Sequence, residues 1–130
     1  MQVYMKRKIF SVALLFTTIT PVAADAQTVK DCPQFHDVFR KAGLPVKTFG
    51  YLSWRESRCN PHAVSAPNGD GSRDSGLLQI NSSWRTLTAR ICKRPAREVI
   101  KSLTHLSCNI KVAVVLWQDG RGASNWRIRK

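Results

Sequence analysis

The sequence has no C-x-x-C spacing, no Gly-rich phosphate loop, no Ser/His/Asp ordering, and no internal repeat or low-complexity tract. Each absence removes a class of chemistry. Without short cysteine spacing a structural zinc site is not expected. Without a phosphate loop or a triad, neither nucleotide chemistry nor serine-type acyl transfer is indicated, and no cofactor is expected. His36, His62 and His105 have no partner pattern that would give them a catalytic role. Long apolar runs are missing too. The uncharged stretch Ile9–Val22 holds about 14 residues, where roughly 20 are needed to cross a bilayer, so stable membrane insertion is not expected.

That short stretch reads instead as part of an export signal. Lys6, Arg7 and Lys8 precede it and Ala24-Asp25-Ala26 follows it, the order of charge, apolar core and small-residue cleavage site. Residues 1–26 are therefore expected to be a signal peptide, cleaved near Ala26–Gln27. Residues 27–130 would form one exported domain, periplasmic or extracellular, and the expected state is a monomer. A domain this small buries a modest core and gains from covalent staples. Its four cysteines, Cys32, Cys59, Cys92 and Cys108, allow three disulfide connectivities.

Acids are scarce: eight Asp and Glu stand against twenty-one Lys and Arg, a formal charge of +13. Removing three bases and one acid with the leader leaves about +11. Such a charge favours anionic partners. The bases are scattered (Arg55, Arg58, Arg73, Arg85, Arg90, Arg94, Arg97, Arg127, Arg129) and no nucleic-acid motif accompanies them. For an exported protein this points to anionic wall polymers rather than to specific nucleic-acid binding.

Apolar periodicity predicts a helix over Gln34–Ala42, with Phe35, Val38, Phe39 and Ala42 on one face. Gly43 ends it. A second helix, Val46–Ser57, carries Phe49, Leu52, Ser53 and Glu56 at the same spacing, and Asn60-Pro61 closes it. A short link makes the two helices roughly antiparallel. Cys32 and Cys59 then fall at one end of the pair, which favours a Cys32–Cys59 bridge and leaves Cys92–Cys108 by elimination. Pro67–Gly71 is dense in turn residues, and Ser72–Asn81 is expected to return as a strand of a small antiparallel sheet. Pro95 suits the first turn of a helix over Ala96–Leu103. A further helix, Ile110–Gln118, capped by Ser107 or Asn109, is apolar on nearly every face and so should be central to the core. The fold class read from these elements is α+β: a mainly helical, disulfide-stapled domain with a small antiparallel β-hairpin lobe.

Two carboxylates stand out. Glu56 shares a helix face with Phe49 and Leu52 and sits at the helix C-terminus. Burial and the helix dipole both disfavour its charged form, as a general acid requires. Its neighbours Arg55 and Arg58 point to other helix faces and are expected to compete poorly for it. Asp74 lies in a polar turn or strand beside Arg73 and Ser75, a setting suited to an ionised partner. One protonated and one ionised carboxylate suit glycosidic bond cleavage.

The run Glu56-Ser57…Ala63-Val64…Asp74-Ser75-Gly76-Leu77-Leu78-Gln79-Ile80-Asn81-Ser82-Ser83-Trp84 resembles chicken-type lysozyme. More loosely, it is similar to the lytic transglycosylases, which share an ES…GLLQ-like core. The resemblance covers about Val46–Trp126 and implies a lysozyme-like fold. It implies Glu56 as general acid and Asp74 as nucleophile or ion stabiliser. It also implies Gln79, Asn81 and Trp84 as substrate-binding residues, with Asn81 touching the N-acetyl sugar and Trp84 stacking on a sugar. Asp119 and Trp126 match the family's DG…W segment, where the Asp binds distal sugars and the Trp packs on the catalytic Glu. The four cysteines do not sit where chicken-type lysozymes carry their eight, which suggests a divergent bacterial or phage-type relative.

The expected function is thus cleavage of the β-1,4 bond between N-acetylmuramic acid and N-acetylglucosamine in peptidoglycan. The alternatives are a lytic transglycosylase leaving 1,6-anhydromuramic ends, and a non-catalytic cationic wall-binding protein on the same fold.

Overall fold

The computed structural model describes residues 28–127. The expected signal peptide, and Arg129 and Lys130 at the other end, lie outside the described residues. The fold is mainly helical with a two-stranded antiparallel sheet and two disulfides.

Helix α1 (His36–Lys41) follows a 3-10 turn over Pro33–Phe35, so the first turn of the expected helix is wound tighter. Gly43, at φ 72°, turns the chain, and α2 (Val46–Ser57) begins after Pro45 with the bounds its periodicity predicts. The two helices bury Phe39 and Phe49 against each other, ring centroids 5.9 Å apart. Cys32 and Cys59 close the open end of the pair as a disulfide across 27 residues. A loop of that size is restrained by about 3.5 kcal/mol on a chain-entropy argument. Asp31 seats its carboxylate over Gly50, where an added Cβ would come within 2.0 Å of Oδ1. It also accepts from the Cys32 N–H at 2.8 Å and pairs with His36.

The hairpin differs from the expected single strand over Ser72–Asn81. Two strands of two residues, β1 (Asp74–Ser75) and β2 (Ile80–Asn81), pair antiparallel, and the turn between them is Gly76-Leu77-Leu78-Gln79. Leu77 and Leu78 are fully buried. They leave strand geometry because both must enter the core, which an alternating strand cannot allow. The Pro67–Gly71 turn region instead links β1 back to Val64, which bridges Ser75. There the Asn68 N–H donates to Ser72 O (2.7 Å) and the Gly71 N–H to Asn68 O (2.9 Å).

Beyond the hairpin, a 3-10 turn (Ser82–Trp84) leads into α3 (Arg85–Cys92), a helix the apolar pattern does not announce. Its inward face includes a fully buried threonine, Thr88, with Leu87 and Ile91 packed on the core. A 3-10 turn (Ala96–Glu98) and α4 (Val99–Leu103) follow Pro95. Helix α5 (Leu106–Leu116) starts a turn earlier than expected. Asn109 is therefore not its cap but lies inside it, wholly buried. Ile110, Val112, Ala113 and Leu116 place α5 at the centre of the core, and Cys92–Cys108 staples α3 to its first turn. Beyond α5 the chain keeps winding: a π-helical turn (Trp117–Arg121) leads to α6 (Gly122–Asn125).

Among the described residues no single helix is long and apolar enough to cross a membrane. The bent pair Ala96–Leu103 and Leu106–Asp119, 106° apart, reaches that composition only jointly, and its apolar residues are those of the core. No group of three His, Cys, Asp or Glu among the described residues could hold a metal ion.

Gly76 is the tightest point of the hairpin. At φ +80° it would place a Cβ 2.1 Å from Leu103 O and 2.3 Å from Asn109 Nδ2. Gly76→Ala should cost roughly 3 kcal/mol or more, from backbone strain and overpacking together. Chemical denaturation of the purified variant measures this, and a loss under about 1 kcal/mol would contradict the assigned packing.

Candidate functional site

The last turn of α2 carries Glu56. Phe49, Leu52 and Ser53, all buried, fix the orientation of the helix, and Ser53 Oγ donates back to Phe49 O at 2.8 Å. Arg58 and Cys59 both take left-handed conformations, at φ 54° and 63°. Their N–H groups return to Trp54 O (3.1 Å) and Ser53 O (3.2 Å), which satisfies the helix's last carbonyls. Ser57 Oγ donates to Leu77 O at 2.8 Å. The helix end is thereby tied directly to the hairpin turn, one residue after Glu56.

Asp74 comes from β1. Its Oδ1 accepts from Asn81 Nδ2 (2.9 Å), and its Oδ2 from Asn68 Nδ2 at 3.3 Å. Its backbone N–H donates to Ser65 Oγ at 2.9 Å. Asn81 also caps the following 3-10 turn by accepting from the Ser83 N–H (2.8 Å) and donates to Ser72 Oγ at 3.0 Å. Each carboxylate oxygen of Asp74 is thus held by an amide, and the side chain has a defined direction.

Both carboxylates line one cleft of about 730 Å³, together with Arg55, Asn68, Gly69, Asp70, Ser72, Gln79, Asn81, Asn125, Trp126 and Arg127. A neighbouring depression of about 160 Å³ shares Asp74, Gln79, Asn81, Asn125 and Trp126 with it and adds Trp84. Of the sequence candidates, Glu56, Asp74, Gln79, Asn81 and Trp126 converge on the main cleft and Trp84 on its extension. Asp119 does not line either cavity; it is exposed in the π-helical turn. Gln79 points at least part of its amide inward, donating through Nε2 to Ala63 O (3.1 Å) and Gly76 O (2.9 Å). Trp126 is 5% exposed, meets Phe49 edge-on at 5.5 Å, and donates from Nε1 to Leu78 O at 2.9 Å.

Glu56 departs from expectation in one respect. Arg55 was expected to face away, since consecutive helical residues diverge. Its long side chain instead passes Tyr51, with Cζ 5.9 Å from the ring, and curls to the helix end. There Nε donates to Glu56 Oε1 at 2.7 Å, and Nη2 donates both to the same oxygen and to Trp126 O. The Glu56 side chain keeps 26% of its surface exposed. Its surroundings are a cleft wall with one ion pair, not the apolar pocket that the helix pattern implied.

Several lining residues escape a sequence reading. Arg55 and Arg127 bring two cations to the cleft, and Asn68 and Asp70 come from a loop that reads as a turn. Asp70 is held below the ordinary carboxylate range by hydrogen bonding from Ser72, first its side chain and then its backbone N–H. A buried asparagine in an otherwise apolar stretch is the signal that could have revealed Asn109. Its side chain supports the site from beneath, donating to Ser75 O (2.9 Å) and Leu103 O (3.0 Å) and accepting from the Leu78 N–H at 3.0 Å.

Residues 35–120 match the family model described as the transglycosylase SLT domain. The chain is also similar to a lysozyme C from Crax fasciolata, with 32% identity over 81 residues. That alignment takes in 55% of this chain and 57% of the relative, so the chain spans little more than half the length of this curated relative. Glu56, Asp74, Gln79, Asn81, Trp84 and Asp119 fall within the family match; Trp126 lies beyond it.

Asn81→Ala should release Asp74 Oδ1 and uncap the 3-10 turn together. The expected cost is about 1–2 kcal/mol in stability, read from a thermal melt against the parent protein. A melt unchanged within about 0.3 kcal/mol would show that these bonds do not restrain the hairpin.

Proposed function

The chain belongs to the transglycosylase SLT domain family, and on that premise we propose that it is an exported enzyme cleaving peptidoglycan between N-acetylmuramic acid and N-acetylglucosamine. The observation that carries this reading is the meeting of Glu56 and Asp74 in one cleft, from two separate parts of the fold. Glu56 donates a proton to the bridging oxygen as the C1–O bond breaks. Asp74, whose two oxygens are held by Asn81 and Asn68, stabilises or traps the positive C1 centre. Water then adds at C1 and returns its proton to the Glu56 carboxylate, leaving a free reducing end. Gln79, Asn81, Trp84 and Trp126 line the path of the glycan. Asp119, exposed and outside the cleft lining, remains a candidate for distal sugars only.

A second reading, lytic transglycosylation, is favoured by the description of the matched family. There the muramic C6 hydroxyl attacks C1 in place of water and gives its proton to Glu56. The product is a 1,6-anhydro ring, lighter by one water than the hydrolysis product. Hydrolysis is the preferred reading because the cleft holds a second, amide-anchored carboxylate that the anhydro route does not need. The cationic surface would concentrate the protein on anionic wall polymers.

Mass analysis of fragments released from purified peptidoglycan separates the two: hydrated reducing ends are expected, and anhydromuramic ends would replace the hydrolase assignment. Glu56→Gln should lower the cleavage rate at least about a hundredfold, the usual worth of a positioned proton donor. Binding of that variant to isolated walls should persist at low ionic strength and fall as salt rises. Undiminished cleavage by Glu56→Gln would remove the proposal.

A further inference from the structure

We propose that Arg55 is a positioning residue that decides which oxygen of Glu56 delivers the proton, and that it ties this choice to the seating of the chain's C-terminal segment. The inference rests on reading Glu56 as the proton donor. Arg55 places two N–H donors, from Nε at 2.7 Å and from Nη2, on the same oxygen, Oε1. A guanidinium only donates and keeps its protons at any working pH. Oε1 is therefore occupied as an acceptor, and a proton on this carboxyl belongs on Oε2. The fork also removes the freedom of the carboxyl to rotate and exchange its oxygens. The same Nη2 donates to Trp126 O, while the Trp126 indole is anchored to Leu78 O at 2.9 Å. One guanidinium thus joins the acid on α2 to the segment that lines the other part of the cleft.

The placement is built rather than incidental. The Arg55 side chain is only 32% exposed and both its partners line or border the same cleft. An exposed pair between adjacent helical residues would carry little energy. Here the consequence is geometric: a reacting group misplaced by about 1 Å can lose roughly a hundredfold in rate.

Arg55→Met removes every donor and keeps the apolar stem that passes Tyr51. Arg55→Lys keeps the charge and gathers its donors on one nitrogen, without the fork. With soluble glycan strands as substrate, Arg55→Met should lower kcat by about tenfold to a hundredfold and leave KM within about twofold. Arg55→Lys should recover part of kcat. A purely structural role would lower thermal stability and raise KM, with no graded recovery of kcat in the lysine variant, and that pattern would overturn the inference. Retained kcat in Arg55→Met, alongside an inactive Glu56→Gln, would overturn this inference alone. Retained activity in Glu56→Gln would instead overturn the reading of the acid on which it rests.

Discussion

The molecule depends on one buried amide. Asn109 lies wholly inside the first turn of α5 and spends its whole side chain on backbone groups of other elements: Ser75 O, Leu103 O and the Leu78 N–H. Two of these partners stand 34 and 31 residues away in the chain. They belong to a hairpin with strands of two residues, which could not hold itself together in water. Leaving those groups buried and unpaired would cost about 1–3 kcal/mol each. The hairpin therefore exists in this shape because the core helix supplies its missing hydrogen bonds, and Gly76 leaves the space through which the amide reaches them.

The turn Gly76–Gln79 is consequently a shared anchor. Ser57 reaches Leu77 O from α2, Asn109 reaches Leu78 from α5, and Trp126 closes on Leu78 O from the C-terminal segment. Each of these residues is adjacent, in chain or in space, to something that lines the cleft. Ser57 follows Glu56, Ser75 follows Asp74, and Trp126 precedes Arg127. Two carboxylates from independent parts of the fold can keep a fixed relation only if the elements carrying them share a rigid reference. The buried turn is that reference, which explains why a loop so close to solvent chemistry is made of two leucines.

Local pattern made some of this legible and hid the rest for identifiable reasons. Helix α2 is readable because its apolar face repeats every three to four residues and a proline follows it. With α2 placed, the common end shared by Cys32 and Cys59 follows, and the structure joins them there. The hairpin reads as one long strand in the sequence because its turn is set by side chains that lie some thirty to fifty residues away. Helix α3 is hard to see in the sequence because its inward face includes Thr88, a polar residue that periodicity counts as outward. Of the residues that meet in the cleft, Glu56, Asp74, Gln79 and Asn81 are visible through the motif spanning Glu56 to Trp84, while most of the remaining lining is not. The reach of Arg55 was not, since it depends on how a flexible side chain folds over Tyr51 at a helix end.

Charge distribution gives the site its final character. The chain has eight acidic residues in all, and three of them, Glu56, Asp70 and Asp74, line the cleft. Asp31 and Asp37 are engaged elsewhere with His36 and Arg40. A strongly cationic chain thus forms a cleft whose two arginines, Arg55 and Arg127, are matched by Asp70 and Asp74 when Glu56 holds its proton. The excess positive charge therefore lies outside the cleft, and within it the charges are balanced. Within the cleft Arg55 commits Nε and Nη2 to Glu56 and the Trp126 carbonyl, which fixes its guanidinium beside the acid.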